Sequence, residues 1–216
     1  MNGPPQRPSP LVGEGREGGR VSNDAGGASA LNSDRPPPPS PSPQGGGGVI
    51  YRYASVQDAG ALAAFAARSF SETFAHLYPR EDLEAYLAKS YGEAIQREEI
   101  EDPSIGTWIA ERDAGLVGYA QAGPVDIKVD HAPQDRELYR LYVDIGVKGG
   151  GVAPELMSNV IGWARSEGAE ALWLSVWENN ARAQAFYRRY GFEHVGEHKF
   201  MVGKTADRDF IWRLKL

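Results

Sequence analysis

The 216-residue sequence contains no cysteine. Disulfide bonds, metal sites built on thiolates and covalent catalysis through a cysteine are therefore excluded. The sequence also lacks any apolar run of about 18 residues, and its N-terminus lacks the apolar stretch of a secretory signal. We therefore expect a cytoplasmic protein with no membrane partner.

Basic residues are fewer than acidic ones, 23 against 29, which gives a formal net charge of −6. The first 48 residues carry four of each sign, so the whole excess of negative charge belongs to the remainder. This balance disfavours nucleic acid as a partner, because its phosphate backbone is itself anionic. It favours a cationic small molecule instead.

The first 48 residues hold 10 of the 15 prolines and 11 of the 26 glycines, with almost no apolar periodicity. Such a segment cannot bury enough apolar surface to offset the entropy of ordering. We expect a disordered tail over residues 1–48, either a flexible leader or translated upstream sequence. Residues 49–216 are long enough for one folded domain.

Apolar periodicity in the second segment predicts a mixed sheet with helices on its faces. A capping box at Ser55–Asp58 opens the first helix, which Pro79 ends. Further helices are predicted over residues 80–90, 92–101, 154–167 and 181–190. Strands are predicted over residues 49–53, 105–112, 116–125, 137–144, 171–177, 192–202 and 208–215.

A glycine-rich segment, Val147–Pro154, lies between a predicted strand and a predicted helix. Glycines let the backbone approach a ligand closely, and the N–H groups of a helix N-terminus attract an anion such as a phosphate. An ordinary turn would also explain the segment.

A second segment, Asn180–Phe192, is predicted to be a helix followed by a glycine cap at Gly191. Its apolar face is formed by residues at positions i, i+3, i+4 and i+7, namely Ala183, Phe186, Tyr187 and Tyr190. A face of this kind is also typical of ordinary core packing.

Together the two segments resemble the GNAT superfamily of N-acetyltransferases. The first resembles its cofactor loop at Gly151 and Ala153, with Lys148 where the family has Gln or Arg. The second resembles its later signature at Asn180, Ala183, Tyr187, Gly191 and Phe192. The resemblance implies an α/β fold with a mixed, mostly antiparallel sheet of six to seven strands and helices on both faces.

The resemblance also implies acetyl-CoA as cosubstrate, without a metal. The implied cofactor-binding residues are Leu141, Tyr142, Val143, Lys148, Gly149, Gly150, Gly151, Val152, Ala153, Asn180 and Tyr187. In this scheme Tyr187 is the general acid that protonates the leaving thiolate, since phenols and thiols have comparable pKa values. The backbone N–H of Val143 would stabilise the developing oxyanion.

Glu137 lies where several relatives place a catalytic base, six residues before Val143. A carboxylate there could accept the proton of an amine directly or through water. A solvated charge at the start of a strand is the alternative interpretation.

Four short segments are similar to the branch that contains the bacterial spermidine/spermine N-acetyltransferases: Ser71–Phe74, Tyr86–Lys89, Arg140–Val143 and Leu174–Asn180. That branch implies a primary amine as acceptor, with a polyamine as the first candidate, and Glu72 and Tyr78 as substrate-binding residues. Glu72 could equally be an exposed carboxylate on a helix.

Two other functions remain open at this point: a non-catalytic acyl-CoA-binding regulator, and a transferase acting on protein or peptide amines. The family resemblance also allows a homodimer, although nothing in residues 200–216 specifies an interface. No metal site is expected. His194 and His198 have the spacing of a metal motif, but on a strand they would stand about 13 Å apart.

Overall fold

The computed structural model describes residues 48–113, 115–147 and 149–216. Within them, seven strands form one sheet in the order β1-β2-β3-β4-β5-β7-β6. The strands are β1 (Ile50–Tyr53), β2 (Gly106–Arg112), β3 (Gly115–Pro124), β4 (Arg136–Val143), β5 (Ala171–Trp177), β6 (Glu193–Val202) and β7 (Thr205–Lys215). The predicted tail, apart from Gly48, lies outside the described residues.

Five α-helices accompany the sheet in the described part of the chain. They are α1 (Ala59–Phe74), α2 (Arg80–Tyr91), α3 (Glu93–Glu101), α4 (Val152–Ser166) and α5 (Ala181–Arg189). None of them is long and apolar enough to span a membrane. The mixed, mostly antiparallel sheet with its helices confirms the predicted fold class.

The helices cover both faces of the sheet, as adjacent residues of β3 demonstrate. The ring of Tyr119 packs edge-on against Phe65 of α1, 6.0 Å between centroids. Gly118 faces the other way, and a Cβ at this position would lie 3.0 Å from Val152 Cγ1 of α4. Since successive side chains of a strand alternate between faces, α1 and α4 lie on opposite sides.

The start of α1 is held to β1 by charge-assisted hydrogen bonds. Asp58 accepts from the backbone N–H and the hydroxyl of Ser55, both at 2.7 Å, which completes the predicted capping box. The guanidinium of Arg52 donates two further bonds to Asp58, both at 2.8 Å. These bonds hold the pKa of Asp58 far below its usual value, with the Arg52 bonds as the largest cause.

Predicted boundaries differ from the structure at two elements near the cofactor loop and the last hairpin. α4 begins at Val152 instead of residue 154, because Pro154 is tolerated anywhere in a first turn, where N–H groups have no intrahelical partner. β7 begins at Thr205 instead of residue 208, because β6 and β7 pair as far as Val202–Thr205. At the first helix, α1 covers only Ala59–Phe74, with short 3₁₀ turns at Val56–Asp58 before it and Ala75–Leu77 after it. The other strands and helices begin and end within two residues of their predicted bounds.

Candidate active site

The sheet opens between β4 and β5. Among the described residues these strands pair, in parallel, only at Arg136–Leu172 and Glu137–Trp173. Both pairs lie where the strands begin, so the strands diverge toward their C-terminal ends at Val143 and Trp177. In the described part of the chain β5 does not pair with β4 over residues 141–143, so one edge of β4 faces the gap there, although its side chains are buried. An extended ligand could pair with such an edge.

A β-bulge in β4 accompanies this divergence. Gln121 of β3 pairs with Arg140, whereas the next residue, Ala122, pairs with Leu138, so that Tyr139 is an extra residue in β4. A bulge bends its strand and increases the local twist. The bend begins directly after the last β4–β5 pair, at the closed end of the gap.

The helix α5 follows β5 in the chain, and local residues cap both ends of the helix. At the start, Asn180 Oδ1 accepts from the backbone N–H of Ala183 at 3.0 Å. At the end, Gly191 has a φ of 87°, and the N–H groups of Gly191 and Phe192 donate to the carbonyls of Arg188 and Tyr187. This pattern is a Schellman motif, and it confirms the predicted glycine cap.

Tyr187 lies in the last turn of α5, and its ring is fixed by two neighbours. Ring centroids are 5.5 Å from Phe186 and 5.6 Å from Phe192. The side chain is 0% exposed, and its hydroxyl has no hydrogen-bond partner among the described residues. Burial raises the pKa of Tyr187 well above its ordinary value of 10.0. The phenol therefore stays protonated at physiological pH, and burial makes it a weaker acid than the ordinary phenol on which the expected match with a thiol rests.

The loop before α4 has the backbone of an anion-binding turn. Gly149 and Gly151 have φ values of 86° and 84°, a region that residues with a side chain rarely adopt. Gly151 is the N-cap of α4, so the N–H groups of Val152 and Ala153 belong to its first turn and have no intrahelical acceptor. Lys148 lies outside the described residues. The rest of the loop can receive a phosphate.

Glu137 is at the closed end of the gap, in the last β4–β5 pair. Its side chain is 0% exposed, and its Oε2 accepts from the backbone N–H groups of Asp126 and Ile127 at 2.7 and 3.0 Å. The alternative of a solvated charge at a strand start is therefore wrong. Glu137 anchors the loop after β3, and whether it also accepts a substrate proton stays a prediction.

The face of the sheet toward α1 and α2 carries acidic and aromatic residues beside the end of β5. Tyr78 donates to Asp207 Oδ2 at 2.8 Å, and the ring of Phe74 lies 5.9 Å from that of Trp177. Asp209, opposite Trp177 in the sheet, is 0% exposed. The structure thus groups Tyr78 with two carboxylates.

Glu72, the other predicted substrate residue, is exposed on α1. Its carboxylate lies 3.8 Å from Arg68, one turn earlier in the helix. Of the two predicted acceptor-binding residues, only Tyr78 contacts the acidic group next to β5.

The two aspartates of β7 were not singled out from the sequence. The signal that could have identified them is the alternation Asp207, Asp209, Ile211, which places two carboxylates on the same strand face as a buried isoleucine. His198, opposite Asp209, was considered only as a metal ligand. Burial lowers the pKa of His198, so its imidazole is neutral. No group of three or more potential metal ligands occurs in the described part of the chain.

Comparison with known proteins gives one family and several relatives. The model of the acetyltransferase (GNAT) family matches residues 67–192. A curated N-acetyltransferase of Mycobacterium bovis, itself uncharacterized, is 34% identical over 154 residues, 71% of this chain and 95% of the relative. Another, from Lactobacillus delbrueckii subsp. lactis, is 26% identical over 170 residues, 78% of this chain and 98% of the relative.

Solved structures share the fold. PaiA N-acetyltransferase from Thermoplasma acidophilum, in complex with coenzyme A, has a TM-score of 0.64 at 22% identity and covers 78% of this chain and 99% of its own. Ribosomal-protein-alanine N-acetyltransferase from Brucella melitensis has a TM-score of 0.56 at 25% identity and covers 77% and 99%.

Proposed function

This chain belongs to the acetyltransferase (GNAT) family as an acetyl-CoA-dependent N-acetyltransferase, and we propose that it transfers the acetyl group directly to a primary amine. The observation that carries the proposal is the hydroxyl of Tyr187. It is buried, has no hydrogen-bond partner among the described residues, and stands on a helix fixed at both ends. A buried polar group without a partner costs free energy, and a ligand that accepts its hydrogen bond would remove that cost.

The residues of the gap fit an acyl-CoA. The open edge of β4 would pair with the extended pantetheine arm, and Asn180 would hydrogen-bond the same arm. The N-terminus of α4 would hold the pyrophosphate, with Lys148 adding positive charge. When bound, acetyl-CoA supplies an acyl group activated as a thioester.

The proposed chemistry is a direct attack by the neutral amine on the acyl carbon. The carbon–nitrogen bond forms and the carbon–sulfur bond breaks. The backbone N–H of Val143 stabilises negative charge on the acyl oxygen. Tyr187 donates its proton to the leaving sulfur. The proton that the amine loses passes to Glu137 through a chain of water molecules, because six strand residues separate Glu137 from Val143.

A cationic acceptor is supported by the acidic residues beside the end of β5. Asp207 and Asp209 stand with the aromatic side chains of Phe74, Tyr78 and Trp177, and carboxylates flanked by aromatic rings suit an ammonium group. A polyamine therefore remains the first candidate acceptor. The similarity to a ribosomal-protein-alanine N-acetyltransferase makes the N-terminal amine of a peptide the second.

The test is CoA release from acetyl-CoA with spermidine, an aminoglycoside, or a peptide that begins with alanine as acceptor. We expect turnover with spermidine, reduced by Asp209→Asn through a higher KM for the amine. If only the peptide supports turnover, the acceptor is a peptide amine and not a polyamine. Binding of acetyl-CoA without turnover on any amine would instead identify a non-catalytic acyl-CoA-binding regulator.

A further inference from the structure

A chain of buried polar side chains runs beneath β4 and joins it to α3 and to two neighbouring strands. Arg140, 1% exposed, ion-pairs with Glu99 of α3, which is 5% exposed. The same guanidinium donates to Gln121 Oε1 of β3 at 2.6 Å and to the carbonyl of Ser90 at 3.4 Å. Gln121 in turn donates to the hydroxyl of Thr107 of β2 at 3.1 Å.

Desolvating two charges in a protein core costs several kcal/mol, and the attraction between them often does no more than offset that cost. An apolar pair of similar volume could fill the same space without this penalty. Overall stability is therefore a weak explanation for an Arg140–Glu99 pair at this depth. The pair instead fixes the orientation of the Arg140 side chain, because a planar guanidinium bonded to several acceptors can occupy only one orientation.

Arg140 lies next to the bulge of β4, at the place where β4 and β5 separate. Arg140 is the first residue after the extra residue of the β4 bulge, and its partner across β3 is Gln121, which is also its hydrogen-bond acceptor. The last β4–β5 pair, Glu137–Trp173, lies only three residues earlier. The three residues that would pair with the pantetheine arm, 141–143, follow immediately. The polar chain thus holds β4 at the point where it separates from β5.

We propose that Arg140 is a positioning residue that keeps the gap between β4 and β5 open, by holding the β4 bulge against Glu99 of α3. The inference rests on the proposed use of this gap for acyl-CoA. Without the pair, the strand would lose its fixed register at the bulge, and the edge over 141–143 would fluctuate or pair with β5.

The variant E99Q/R140M tests the proposal, because it removes both charges together and leaves none buried alone. Two quantities are measured: the Kd of CoA by calorimetry, and the hydrogen exchange of the Tyr142 amide, which faces β3, in the ligand-free protein. We expect a Kd at least tenfold higher and exchange at least tenfold faster at this amide, with amides of β7 unchanged. Arg140→Lys, which keeps the charge but loses the planar fork, should fall between the variant and the parent.

The matched control is R80Q/E84Q, which removes an i,i+4 ion pair whose side chains are 87% and 59% exposed. It should alter neither quantity. If E99Q/R140M binds CoA as the parent does, or if exchange rises by the same factor in all strands, the pair is only structural and the proposal is overturned. If the parent itself fails to bind CoA, the proposed function fails, and the exchange measurement alone then decides whether Arg140 holds β4.

Discussion

Replacing Tyr187 by phenylalanine should raise stability and lower activity at the same time. The ring contacts with Phe186 and Phe192 would remain, so the substitution removes only a hydroxyl that is buried and has no partner among the described residues. A structural tyrosine with a satisfied hydroxyl would behave differently, since its loss would lower stability and leave turnover unchanged. The two effects therefore have opposite signs only if Tyr187 acts on a ligand.

The size of each effect follows from the burial of the side chain. Removing an unsatisfied buried hydroxyl should raise the free energy of unfolding by about 1 kcal/mol. For a domain of this length that corresponds to an increase in Tm of about 2–4 °C. Loss of a general acid typically lowers turnover by about 10²–10⁴-fold. The affinity for CoA should change by much less, because the proposed phosphate and pantetheine contacts lie elsewhere.

The pH dependence of stability gives a second signature. Burial raises the pKa of Tyr187 well above 10.0, so below about pH 10 the phenol is protonated in both the folded and the unfolded chain. Above that pH the unfolded chain ionises and the folded one does not, so stability falls as pH rises. Phenylalanine has no such loss. The stability advantage of Tyr187→Phe should therefore grow between pH 8 and pH 10.5, as measured by urea unfolding.

The assay is simple because the chain has no cysteine, so a thiol reagent reports only released CoA. Tyr190→Phe is the matched control, since Tyr190 is three residues further along the chain and its ring packs against Phe186 at 5.0 Å. It should leave turnover within about twofold of the parent. Unchanged turnover in Tyr187→Phe, or a lower Tm together with lost CoA binding, would refute the acid role.

Three further predictions concern the base, the cofactor loop and the first helix. Glu137→Gln should abolish the acid limb of the pH profile of kcat if Glu137 is the base, and should only lower Tm if it merely anchors the loop after β3. Gly151→Ala should raise the Kd of CoA about tenfold, because holding alanine at a φ of 84° costs about 1–2 kcal/mol. The control is Gly162→Ala inside α4, where an added Cβ meets open space; it should leave the Kd unchanged and the free energy of unfolding equal or higher. Asp58→Asn should lower the free energy of unfolding at pH 7. The difference from the parent should shrink as pH falls below 3.8, because the unfolded parent then binds a proton that the folded parent still excludes. Urea unfolding at pH 3 and pH 7 measures both values.

Much of the fold could be predicted from local signals. The strand Ala171–Trp177 has its predicted bounds, and the strands predicted over residues 105–112 and 116–125 pair with each other as β2 and β3. The Asn180–Phe192 signature corresponds to the two caps of α5 and the tyrosine between them. These features depend on neighbouring residues, so periodicity and capping rules are sufficient to find them.

Features that depend on distant residues could not be predicted in this way. Glu99 lies in a mostly charged stretch, residues 97–101, yet α3 buries Gln96, Glu99 and Ile100 on one side. Its partner Arg140 is 41 residues away. The loop contact of Glu137 likewise became visible only when β3 and β4 were paired. The sequence shows which side chains are present, but not which strands and helices pair to bring them together.

The residues around Tyr187 and those of the acidic face come from different parts of the chain. Both caps of α5 and the aromatic neighbours Phe186 and Phe192 of Tyr187 lie within residues 180–192. The acidic face proposed to hold the amine comes instead from the end of α1, the turn after it, β5 and β7. If these residues have the proposed roles, mutations at these four places should change the acceptor while leaving the proton donor in position. A library randomised on those four segments, with residues 180–192 held constant, should yield new specificities far more often than inactive proteins.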